Sequence, residues 1–161
     1  SLSLASTTFV GQNLGVGNVE RAKGGVRRAL YLSFAVTAVL LVPVLTLAPD
    51  MTAFFNSKPE VVSYGALLLR LLSPFYFFFC INQIYSGALR GSGNSQVPMW
   101  IMLGSFVVFR QIYLFVVANY VANEIIHIAL SYPAGWFLCS AATLIYYSRC
   151  RFDKHRLVED V

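Results

Sequence analysis

Acidic residues are scarce in this sequence and absent where it is most apolar. Of 161 residues only seven are Asp or Glu, and none falls within the four long apolar runs 29–48, 61–89, 97–118 and 125–148. Without carboxylates those runs contain no acid–base pair and no carboxylate-ligated metal site. Charged residues make up 12% of the chain, about half the share usual in a water-soluble domain. Cysteine is sparse too. Cys80, Cys139 and Cys150 have neither metal-site nor disulfide spacing. The first two lie inside apolar runs, where a thiol behaves as a small hydrophobe; Cys150 follows the last run, where a palmitoyl chain would suit it. His127 has no acid in its run to pair with. The chemistry of an intramembrane enzyme is therefore missing.

What is there is hydrocarbon. The chain is 57% hydrophobic with a mean hydropathy of +0.64. A helix needs about 20 apolar residues to cross a bilayer core about 30 Å thick, and the four runs hold 20 to 29 residues each. A soluble bundle of buried helices would have to cover four such runs in series. The expected fold is an all-α integral membrane protein with four full transmembrane helices.

Basic residues are distributed unevenly. Arg21, Lys23, Arg27 and Arg28 precede the first run, Arg90 lies between the second and third, and Arg149, Arg151, Lys154 and Arg156 follow the fourth. If every run crosses, these nine share one side, against Lys58 alone on the other. That bias assigns the turns near Asn18 and Asn94 and the tail 149–161 to the cytoplasm of a multi-pass cell-membrane protein. It also accounts for the net charge of +5 without a nucleic-acid partner.

Residues 1–14 read as the end of a further helix. At about 1.5 Å per residue they reach only about 21 Å, too short to cross. The expectation is a piece of a longer protein, beginning inside a transmembrane helix. Asn18 suits an N-cap for a basic segment, 19–28, along the interface. Pro43 and Pro133 predict kinks in the first and fourth spans. Ser57, Lys58, Pro59 and Glu60 offer a capping box, and Asn119–Glu124 a short loop.

Two glycine-dense turns carry the sharpest pattern. The first is Gly11-Gln12-Asn13-Leu14-Gly15-Val16-Gly17-Asn18; the second is Gly87-Ala88-Leu89-Arg90-Gly91-Ser92-Gly93-Asn94, followed by Pro98. Gly11 and Gly15 form a small-xxx-small pair of the kind that lets helix backbones approach. The plain reading of these glycines is packing and a tight turn. A phosphate-binding role fails, because neither a preceding strand nor the full phosphate-loop spacing is present.

Both turns, with Tyr132-Pro133 and Trp136 in the last span and the basic tail, resemble the multidrug and toxic compound extrusion (MATE) transporters. The motif positions are Gly11, Gln12, Gly15, Gly17, Arg90, Gly91, Gly93 and Pro98. The resemblance covers essentially all of 1–161. It implies the C-terminal lobe of a twelve-helix, two-lobe bundle that exports organic cations and other amphipathic molecules in exchange for Na⁺ or H⁺. Membrane lipid and the N-terminal lobe would be its partners, with no other cofactor and no metal. A flippase for lipid-linked oligosaccharides on a related fold, and a purely structural membrane protein, are the alternatives.

Candidate cavity residues follow from the few polar groups in the spans. Asn82, Ser86 and Arg90 are four apart on one face, flanked by Phe79 and Gln83. Either they bond helix to helix or they line the cavity. Arg70 and Arg110 are the expensive residues, because an arginine at the bilayer centre costs about 2.5–3.5 kcal/mol on insertion scales. Arg110 is the better cavity candidate and Arg70 the better structural one. Tyr132 and Trp136, near Ser140 and Thr143 on one face, offer π surfaces for organic cations. The absence of acids in all four spans predicts that the coupling ion binds mainly outside this chain.

Overall fold

The structure is a computed structural model that describes residues 2–56, 58–121 and 125–150, with only the backbone of Tyr120 and Val121. Its helices are α1 (Leu2–Gly15), α2 (Val19–Thr46) and α3 (Ala48–Ala53), then α4 (Pro59–Gly91), α5 (Gln96–Asn119) and α6 (Ile125–Arg149). Among the described residues there is no strand. The four long helices are those expected to span. The tail 151–161, Ser57 of the expected capping box and most of the loop before α6 lie outside the described residues.

Local chemistry accounts for the helix ends and breaks. The Asn18 side chain accepts a hydrogen bond from the Arg21 amide at 3.0 Å, so it caps α2 as expected. The basic segment 19–28 is not a separate interfacial helix; it is continuous with the span that follows. Pro59 occupies the first turn of α4, where its missing N–H costs nothing. A 3₁₀ turn at Ser73–Phe75 surrounds Pro74 inside α4. The winding of α5 widens to π geometry over Gly104–Phe109 and again from Val117. In α6 the helical pattern is interrupted at Leu130, three residues before Pro133, where the proline ring displaces the preceding turn.

The bundle buries many polar side chains beside its apolar ones, and it is apolar outside. Ser6, Ser33, Asn82, Ser86, Ser105 and Thr143 are all buried, while Leu40, Trp100 and Phe115 are 60–66% exposed. Only 6–11% of the most apolar window is buried in each of α2, α4 and α5. A water-soluble fold could not leave such surfaces open; hydrocarbon or another protein surface must cover them. Inside, hydroxyls bond to helix carbonyls, as a medium without water requires.

α1 and α4 run parallel and in close contact. Ser3 Oγ donates to the Gln83 carbonyl at 2.9 Å, and Thr7 Oγ1 donates to the Gly87 carbonyl at 2.9 Å. Glycine permits this approach. A Cβ at Gly87 would stand 2.6 Å from the Ser3 carbonyl oxygen, and one at Gly91 would overlap the Thr7 carbonyl oxygen. The pair that matters is therefore Gly87 with Gly91, against which Gly11 also packs. Gly15 faces open space, so the expected Gly11–Gly15 contact surface is only half used. Val10, Leu14, Ala22, Val26, Ile84 and Ala88 complete a core at this end of the bundle.

Both glycine turns fold the same way. Gly17 and Gly93 have φ of +74° and +86°, which a side chain would resist. Asn18 N–H reaches the Asn13 carbonyl at 2.8 Å, and Asn94 N–H reaches the Leu89 carbonyl at 3.0 Å. Each is a helix-ending Schellman turn, and in each the asparagine side chain accepts from an amide three residues on. Asn94 Nδ2 also donates to Tyr146 Oη at 2.6 Å, tying this turn to the last turns of α6.

Gly91→Ala should destabilise the protein by about 1–3 kcal/mol, because two backbones must separate, while Gly15→Ala should be neutral or stabilising by up to about 1 kcal/mol. Thermal unfolding in detergent, followed by circular dichroism, distinguishes the two.

Candidate functional site

Two polar features meet between α4, α5 and α6. The deeper one centres on Asn82, which is fully buried. Its Oδ1 accepts from Ser86 Oγ at 3.1 Å, Thr143 Oγ1 at 3.1 Å and Cys139 Sγ at 3.3 Å. Nδ2 has no partner among the described residues. A carbonyl oxygen has two lone pairs, so three donors saturate it; turning the amide over would leave the oxygen unpaired instead. Asn82 thus joins α4 to α6 through Cys139 and Thr143, while Ser86 adds a bond within α4. This is the helix-bonding reading of the polar stripe. Gln83, one residue on, faces the other way. It lines a cavity of about 350 Å³ between α1, α2 and α4, with Ser3, Ser33, Thr37, Phe79 and Cys80.

One to two turns back along α4, toward its N-terminus, lies an aromatic cluster. The Trp136 ring sits 5.2 Å from Tyr76, 5.9 Å from Phe79 and 6.3 Å from Tyr132, centre to centre. The Arg110 guanidinium lies over the Tyr132 ring, 3.9 Å from its centre. The cation that insertion energetics made expensive is held by a π face. Its Nε is buried and makes no hydrogen bond with the described residues. The tilted rings and half-buried edges form a surface on which a flat apolar or cationic molecule can stack.

The structure therefore brings together Asn82 with Ser86, and Arg110 with Tyr132 and Trp136. It does not bring Gln83 into either group. Tyr76 and Phe79 belong to the cluster; the sequence marks Phe79 only as a flank of the polar stripe, and Tyr76, three residues before it in a run rich in phenylalanine, does not stand out there. Arg90 is not part of this site. Its Nη2 donates to Ser3 Oγ at 3.1 Å, bracing α1 against α4. Gln12 is exposed, and Pro98 is buried near the start of α5.

Four long apolar helices, buried polar side chains and paired glycine turns at one end define a multi-pass helical membrane protein. The family model described as MatE matches residues 1–116. The chain belongs to the MatE family. It is 26% identical over 157 residues to "Probable multidrug resistance protein NorM" of Thermotoga maritima, covering 98% of this chain and 34% of that protein. It is 36% identical over 107 residues to "Protein DETOXIFICATION 15" of Arabidopsis thaliana, covering 65% of this chain and 22% of that one. A solved structure titled "Inward-facing conformation of a multidrug resistance MATE family transporter of the MOP superfamily" superposes with a TM-score of 0.84 at 15% identity, over 96% of this chain and 36% of the other. The chain thus spans about a third of the length of the Thermotoga protein and of the solved transporter, and less of the Arabidopsis one.

Asn82→Ala should leave Ser86, Thr143 and Cys139 without their acceptor and cost about 1–3 kcal/mol, read as a lower unfolding midpoint in detergent. Cys150, beyond the end of α6, is partly buried, and burial pushes its thiol above the usual value. Thiolate is the reactive form, so a raised pKa means less of it at neutral pH. Alkylation of Cys150 by iodoacetamide in a variant with Cys80→Ser and Cys139→Ser should be slow at pH 7 and rise close to tenfold per pH unit through pH 8.

Proposed function

We propose that this chain acts as the C-terminal lobe of a secondary multidrug exporter, and that the cluster of Tyr76, Phe79, Tyr132 and Trp136 with Arg110 forms part of its substrate surface. The observation that carries the reading is an aromatic cluster with a half-buried guanidinium, its Nε buried without a hydrogen bond among the described residues, in a chain of MatE membership. Aromatic faces bind flat molecules of varied structure because stacking needs no fixed hydrogen-bond pattern. That tolerance is what export of many compounds requires. Alternating access would rock this lobe against an N-terminal one about a midplane cavity.

Coupling to Na⁺ or H⁺ rests on a group outside the spans seen here. Asn82 has an amide that cannot carry a proton at ordinary pH, and its oxygen is already saturated by three donors. The basic residues near both glycine turns support a cytoplasmic location for that end of the bundle.

In vesicles containing the complete transporter, Trp136→Ala should raise the apparent KM for a planar aromatic cation about tenfold, since stacking on an indole contributes about 1–2 kcal/mol when desolvated. Ion dependence, measured under separately imposed Na⁺ and pH gradients, should not change. This chain alone should give no uphill transport. Uptake by the isolated chain, or loss of ion coupling with normal substrate binding in Asn82→Ala, would refute the assignment.

A further inference from the structure

The level at which Arg70 sits follows from the helix ends around it. Its Nε donates to the Leu45 carbonyl at 3.3 Å, and α2 ends one residue beyond Leu45, at Thr46. The first half of α4 also touches Ile125–Ala129, where α6 begins. α2 thus ends, and α6 begins, beside the half of α4 that holds Arg70. From Arg70 to Arg90 along α4 is 20 residues, a rise of about 30 Å. From Leu45 back to Arg28 along α2 is 17 residues, about 26 Å. Both match one hydrocarbon thickness, about 30 Å. Arg70 is therefore not at the bilayer centre, as its place in an apolar run suggested. It stands at the boundary opposite the glycine turns, and its side chain, like all helical side chains, leans toward the helix N-terminus and so toward the headgroups. The first three turns of α4 continue beyond it, with α3 packed alongside.

A groove of about 840 Å³ opens between α3 and α4 at this level. Pro49, Val62, Ala66, Leu67 and Leu71 give it apolar walls, and Arg70 is the one charged residue among the described residues that line it. Among the described residues nothing else bonds to Arg70, and its Nη donors have no partner there. Phe54 and Phe55, just after α3, are 85% and 87% exposed, as suits side chains at a membrane interface.

We propose that this groove holds a membrane glycerophospholipid, with its phosphate on the Nη donors of Arg70 and the upper part of an acyl chain against Leu67 and Leu71. A guanidinium at headgroup level next to an apolar slot is complementary to a phosphate joined to a hydrocarbon tail. Neither a soluble phosphate nor an uncharged tail alone would satisfy both halves.

The test is native mass spectrometry of the protein in detergent loaded with phosphatidylglycerol or with diacylglycerol of the same acyl chains. The wild type should keep one phosphatidylglycerol after mild activation and lose diacylglycerol. Arg70→Gln should lower phosphatidylglycerol occupancy about tenfold, and Arg70→Lys, which keeps the charge but not the paired donors, should lower it less. Ala66→Phe fills the groove while leaving Arg70 in place, so it should also remove the lipid, even if Arg70→Gln fails to fold. Equal phosphatidylglycerol retention in wild type and Ala66→Phe, or equal retention of diacylglycerol and phosphatidylglycerol by the wild type, would overturn the proposal.

Discussion

The contact of α1 with α4 at Gly87 and Gly91 is the constraint on which the rest of the bundle depends. In hydrocarbon, leucine gains nothing by leaving lipid for protein, so helices associate through close packing and through bonds that water cannot supply. Gly87 and Gly91 remove the side chains that would hold the backbones apart. Ser3 and Thr7 then reach carbonyls of the opposite helix. Because these helices are parallel, their Schellman turns arrive at the same end of the bundle, and each launches the next helix from an asparagine cap. Asn94 carries the order to α6 through Tyr146.

With α4 fixed from one side by α1, its opposite side is free to receive α6. Asn82 makes that junction with one oxygen that accepts from two α6 residues, Cys139 and Thr143. Losing a buried hydrogen bond is costly, so these two bonds fix the rotation of α6 about its own axis. That rotation sets Trp136 against Tyr76 and Phe79, and Tyr132 beneath Arg110. The candidate substrate surface is thus a consequence of a polar lock one turn below it. A change at Asn82 would reach the aromatic cluster through geometry, without touching a bound molecule.

The irregular winding of α5 and α6 lies beside this cluster. The π segment Gly104–Phe109 ends next to Arg110, and the interruption at Leu130 precedes Tyr132. Wide turns and breaks of this kind relax the strict helical hydrogen-bond pattern and commonly accompany functional sites. Here they flank the two residues whose guanidinium and ring are stacked. By contrast, α1 and the second half of α4 are joined by close backbone contacts.

The sequence by itself determined that four helices are long and apolar enough to cross a membrane, that proline would interrupt the last, and that the glycine turns are paired. Hydropathy, caps and glycine spacing are local properties, and they survive in any packing. The sequence also held the identities of Asn82, Ser86, Arg110, Tyr132 and Trp136, because polar and aromatic groups stand out against hydrocarbon. Only the tertiary structure decided how they combine. A hydropathy profile carries neither the rotation of a helix nor its depth, so it could not show that Asn82 faces α6 while Gln83 faces α2, or that Gly91 rather than Gly15 meets a backbone. Nor could it show that Arg70, inside an apolar run, lies level with the ends of its neighbours. Those facts depend on which surfaces of other helices arrive opposite each residue, and that is set by contacts between segments about 80 residues apart.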